Sequence, residues 1–234
     1  MARKPAADKP SLPAPSTSNR EKIIETFMAL LAEKPFEQVG FGEIAARSGL
    51  SLVQCRAEFG STIGVLAAHA KEIDRKVLAG GEADMAEEPP RERLFDVLMR
   101  RLEALAPHRA AVRSLLRSAS RNPGLAVALN GLALRSQQWM LTAADIDAAG
   151  PRGILRAQGL ALLYARVLRV WLNDQDPGLA RTLAALDREL ARGQRWAGFL
   201  DGLCRFVPRR RSRRGRDGSR RYDADDAGEE PAAA

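Results

Sequence analysis

Residues 44–51 read Ile44-Ala45-Ala46-Arg47-Ser48-Gly49-Leu50-Ser51. A short helix ends at a glycine, one apolar residue follows, and a serine stands where a second helix would begin. Gly49 suits a left-handed turn because it has no Cβ to clash there. Ser51 suits an N-cap, where a side-chain oxygen accepts from N–H groups that the helix leaves unpaired. Ala45 is small enough to let two helices cross closely. The spacing predicts a helix-turn-helix with helices at about 41–48 and 52–58. In units of this kind the second helix enters a DNA major groove.

Working outward, the periodicity stays helical. Ile23, Ile24, Phe27, Leu30 and Leu31 make an apolar stripe over 19–34, with Asn19 as the expected N-cap. A helix from about Ser61 to Leu78 stops at Gly80-Gly81. Beyond it, helices are expected at about 91–105, 108–120, 123–143, 151–173 and 178–206. Their stops are Pro107, Asn122-Pro123, Gly150-Pro151 and Asp176-Pro177. The stretch 153–172 is apolar around most of its circumference, as in a helix buried in a bundle or subunit interface. No segment alternates with period two, so no sheet is expected. The expectation is an all-α chain of about nine helices. Its parts are an arm (1–18), a helix-turn-helix domain (19–78), a linker (79–90), a helical domain (91–207) and a tail (208–234). The arm is Pro/Ala/Ser/Lys-rich and the tail is a basic block followed by an acidic one, so disorder is expected in both.

The chain has 234 residues, 45 % of them hydrophobic and 28 % charged, which allows one or two domains with a sizeable core. No apolar run reaches about 18 residues, so no membrane span is expected. The N-terminus lacks the apolar core of a signal peptide. Cys55 and Cys204 lie far apart, and His69 and His108 are the only histidines. That excludes a zinc module and leaves few general bases. No nucleophile–base pair, phosphate loop or metal-spaced carboxylates occur, so neither an enzyme nor a cofactor is expected. A reduced, cytoplasmic protein is the consistent reading. The net charge of +8 divides into +3 over 1–20, −1 over 21–77, +4 over 78–208 and +2 over 209–234. The basic character is therefore not concentrated on the helix-turn-helix.

The N-terminal region resembles the DNA-binding domain of TetR-type transcriptional repressors over about residues 19–78. The resemblance rests on Pro35-Phe36, Ile44-Ala45, Gly49-Leu50-Ser51, Phe59, Ser61 and Leu66. It implies a homodimer that binds operator double-stranded DNA and is released by a small apolar ligand, with the last two long helices pairing across a two-fold axis. Positions that contact DNA in the family differ here: Gly40, Leu52, Arg56, Glu58 and Thr62 stand where Ser or Thr, Lys, Tyr, an aromatic and Lys are usual. The remaining DNA-binding candidates are Arg20, Lys22, Arg47, Ser51, Gln54 and Arg56. Gln54 suits adenine, and Arg56 suits guanine or phosphate. Arg20, Lys22 and Arg47 suit the backbone, Ser51 caps the reading helix, and Arg3, Lys4 and Lys9 suit a minor groove. Cys55 is expected as a small buried apolar residue, and His108 as a surface or capping residue.

A second resemblance competes. Tyr164, Leu168, Trp171, Asp174, Thr182 and Leu186-Asp187-Arg188 are similar to the coenzyme Q biosynthesis accessory proteins, which implies a TetR-like fold that binds isoprenoid lipid instead of DNA. Trp196, Phe199, Leu200, Leu203, Phe206 and Val207 recur at helical spacing beside Arg192, Arg195, Arg205 and Arg209–Arg211. Such a stripe suits either core packing or peripheral membrane contact through 196–211. Met99, Trp139, Met140, Tyr164 and Trp171 are the candidates for a ligand pocket, with ordinary core packing as the alternative.

Overall fold

The computed structural model describes residues 18–80 and 87–205, with side chains as far as Arg195. Among the described residues are nine α-helices and no strand: α1 (Asn19–Glu33), α2 (Phe41–Ser48), α3 (Leu52–Glu58), α4 (Thr62–Ala79), α5 (Pro90–Leu105), α6 (Arg109–Ala119), α7 (Pro123–Ala143), α8 (Gly150–Asn173) and α9 (Ala180–Arg205). The all-α expectation is met. The membrane stripe from Trp196 onward, the basic tail and the N-terminal arm lie outside the residues whose side chains are described. Among the described residues no helix is long and apolar enough to cross a membrane.

The first helix corrects one expectation. Its N-cap is Ser18, not Asn19. The Ser18 hydroxyl accepts from the Glu21 N–H at 3.2 Å, and the Glu21 carboxylate accepts from the Ser18 N–H at 3.0 Å. This reciprocal box satisfies two backbone donors at once, which a lone asparagine cannot do. At the other end of the chain, α9 starts at Ala180 because the Asp176 carboxylate accepts from the N–H groups of Gly178 and Ala180.

Two apolar clusters form the interior. The N-terminal one joins Ile23, Phe27 and Leu31 of α1 to Ile44, Cys55 and Val65. Burying each of the large side chains contributes about 1.5–3 kcal/mol. The C-terminal one joins Leu98 and Leu102 of α5 to Met140, Val167, Trp171 and Leu186. Helix α4 runs through both: Val65, Leu66 and Ala68 belong to the first, Ile73 and Val77 to the second.

Helix α6 makes a second seam. Ala111 and Leu115 are buried in the N-terminal cluster. The Ser114 hydroxyl donates to the Lys34 carbonyl at 2.9 Å, and the Phe36 N–H donates to Ser118 Oγ at 3.1 Å. The loop after α1 is thus held by a helix 80 residues further along the chain. Packing also explains Gly153: a Cβ there would sit 2.0 Å from the Ala148 carbonyl, so a larger residue would push α8 off its preceding loop.

Candidate nucleic-acid interface

The turn between α2 and α3 forms as its residues dictate. Gly49 has φ 70°, the left-handed region. The Leu50 N–H returns to the Ala45 carbonyl at 3.1 Å. Ser51 is the N-cap of α3: its hydroxyl accepts from the Gln54 N–H at 3.2 Å, and Gln54 Oε1 accepts from the Ser51 N–H at 2.8 Å. Gly40 caps α2 with no side-chain bond. Cys55 is fully buried, and burial pushes its thiol pKa up, which keeps it a packing group.

The outward surface of α3 carries Leu52, Val53, Gln54, Arg56 and Ala57. Leu52 is 58 % exposed and Val53 79 %. Gln54 is partly spoken for, because bidentate reading of adenine needs both ends of its amide and the carbonyl end holds the cap. Arg56 lines a small cleft with Phe41, Leu52, Phe59 and Gly60.

The other candidates differ in how free they are. Lys22 is exposed on α1. Arg20 lies over the Phe59 ring, 4.6 Å from its centre, and 3.9 Å from the Glu58 carboxylate. Arg47 forks onto Glu33 with two contacts of 2.6 Å, which holds the Glu33 carboxyl below its usual pKa range. A phosphate would have to compete with that carboxylate for Arg47.

The five pocket candidates do not share one space. Met140, Tyr164 and Trp171 are buried in the C-terminal cluster, and Met99 packs against it. Their side chains fill that core. Trp139 alone of the five is exposed, in an open cleft of about 700 Å³ with Gln138, Thr142, Asp145 and Ile146. Trp171 has a further structural role, since the Arg109 guanidinium stacks 4.8 Å from its ring centre and donates to the carbonyls of Trp171 and Asp174. The Asp174 carboxylate accepts from the Thr182 N–H at 2.9 Å and its hydroxyl at 2.7 Å. Those bonds hold the Asp174 pKa down and fix the turn into α9.

Two buried polar groupings were not picked out from the sequence. Arg101 on α5 donates to Asp74 on α4, and the Ser136 hydroxyl of α7 donates to the same carboxylate at 2.6 Å. Arg101 also lies 5.7 Å from the centre of the Tyr164 ring. A signal was present: Leu94, Val97, Leu98, Leu102 and Leu105 form an apolar stripe on α5, and Arg101 falls on it. The second grouping is His69 against His108, ring centres 4.6 Å apart and edge to face. His108 stands at the N-cap position of α6, as expected, but it makes no side-chain cap bond and is part-buried rather than on the surface.

No protein-family model and no curated protein sequence matches the chain. Solved structures do. A TetR transcriptional regulator from Nitrosomonas europaea is 24 % identical, with a TM-score of 0.59 over 75 % of this chain and 97 % of that one. One from Rhodococcus is 21 % identical, with a TM-score of 0.54 over 75 % and 95 %. A TetR-family regulator from Streptomyces coelicolor is 16 % identical, with a TM-score of 0.54 over 80 % and 86 %. The fold of this chain is theirs.

Proposed function

From that shared fold we propose that the chain is a TetR-type transcriptional regulator: a homodimer that binds operator DNA through α3 and is released by a small apolar ligand. The observation that carries the reading is the intact helix-turn-helix. Gly49, the Ser51–Gln54 box and buried Ile44 and Cys55 fix α3 so that Arg56 stands on its outer surface, and Lys22 is exposed on α1. Lys22, Arg20 and Arg47 position the DNA backbone, and Arg56 reads a base or a phosphate. The release step draws support from α4, which is packed into both clusters. A ligand in the cleft beside Trp139 that favours one arrangement of the C-terminal half shifts the population of DNA-competent dimers.

Full-length protein incubated with fragmented genomic DNA at near-physiological salt is expected to retain a few fragments sharing a palindrome. Arg56→Ala is expected to weaken that binding between about 5- and 150-fold, the range of one base-reading contact. Unchanged affinity removes Arg56 from the interface. Featureless retention favours the lipid-binding alternative, and solvent extraction of the purified protein then follows. That alternative draws less support, because Trp171, Asp174 and Thr182 already have packing and turn-forming roles.

Dimerisation is supported by α8. Ile154, Leu155 and Leu162 are each at least half exposed on it, and Leu183 of α9 is 36 % exposed. An apolar stripe of that kind suits a self-complementary two-fold contact. Light scattering is expected to give twice the chain mass, and Leu155→Glu with Leu162→Glu to give the monomer. A wild-type monomer overturns the homodimer.

A further inference from the structure

We propose that α3 reads thymine through its 5-methyl group, with Leu52 and Val53 as the specificity-determining side chains. The inference deepens the DNA-binding reading above and rests on it.

Hydrogen-bonding capacity on α3 is small. The Gln54 carbonyl is held by the Ser51 N–H at 2.8 Å. The Glu58 carboxylate is drawn to Arg20 at 3.9 Å. Arg56 is the one cation of α3. What the helix offers outward at its start is hydrocarbon, with Leu52 58 % and Val53 79 % exposed. In helix-turn-helix complexes the N-terminal residues of the second helix meet the base edges. In the major groove, thymine alone of the four bases presents a methyl group, and apolar side chains are its natural contact.

The surface around Leu52 has the shape and charge for this. Phe41, Leu52, Phe59 and Gly60 form a small concave apolar cleft with Arg56 at its edge. The Arg56 guanidinium lies close over Gly60, where a Cβ would come within 3.2 Å of it. A methyl group can seat in the cleft while the guanidinium meets the adjoining anionic backbone. A protein partner's apolar side chain would gain nothing from that cation, whereas DNA supplies methyl and phosphate together.

The test uses the full chain and the fragment with the highest retention. Each thymine of the operator is replaced in turn by deoxyuridine, which removes the methyl and nothing else. Affinity is expected to fall about four-fold at one or two positions in each half-site, the worth of one buried methyl. Changing the same position in both half-sites gives about fifteen-fold. Val53→Ala, at an exposed position that the fold does not need, is expected to make binding indifferent to uracil at one of those positions. Wild-type protein indifferent to uracil throughout overturns the inference and leaves the DNA-binding reading standing. Featureless retention, or retention of no fragment, overturns both.

Discussion

Asp74→Ala is expected to destabilise the fold by about 3–5 kcal/mol, the cost of breaking a buried ion pair from one side. Asp74 and Arg101 are 9 % and 8 % exposed, and the Ser136 hydroxyl completes the site. Removing the carboxylate leaves a guanidinium buried without its counter-charge and a hydroxyl without its acceptor. The combined replacement Asp74→Leu, Arg101→Met and Ser136→Ala is expected to recover most of the loss, because an apolar set of similar volume carries no desolvation cost and leaves no hydroxyl without an acceptor. Urea unfolding of the three proteins measures both effects. A loss below about 1 kcal/mol for Asp74→Ala would mean that water reaches the pair and screens it.

Acid is expected to weaken the fold through His69. Its pKa is lowered to about 4, first by burial, then by His108 and the cations Lys76 and Arg101. His108 is lowered in the same direction by burial and Lys76, with Glu25 opposing. Above pH 6.5 His69 is neutral in both folded and unfolded chains and stability does not depend on it. Below 6.5 the unfolded chain takes up a proton that the folded chain refuses until about pH 4. Stability therefore falls across that window, by about 3 kcal/mol in total. Carboxylates titrate in part of the same range, so the comparison is with His69→Leu, which keeps them. Its stability is expected to decline less between pH 6.5 and 4 by about that amount. Parallel profiles would show that His69 accepts its proton in the folded state.

The turn was legible in the sequence because everything that makes it is local. Gly49, Leu50 and Ser51 fix one another within a few residues, and the stripe of α1 repeats every three or four. The partners of Asp74 and Arg47 lie 27 and 14 residues away, and no periodicity reports them. Gln54 is a different case. Its type suits adenine, yet Ser51 and Gln54 stand at the Ser-x-x-Gln spacing of a capping box, a local signal passed over, and the Gln54 carbonyl is engaged there. Met140, Tyr164 and Trp171 failed to separate from core because pocket walls and cores use the same side chains. The stacking of His69 on His108 joins α4 to the turn before α6, a contact set by the packing of whole helices.

The α6 seam bears on how such a protein can be recombined. A chimera cut in the linker would take α1–α4 as its interchangeable head. That head would arrive without Ala111 and Leu115 under α1 and without the Ser114 and Ser118 clasps on residues 34 and 36. The graftable unit is discontinuous, α1–α4 together with α6, so a swapped head must either bring a matching α6 or meet one already present in its host.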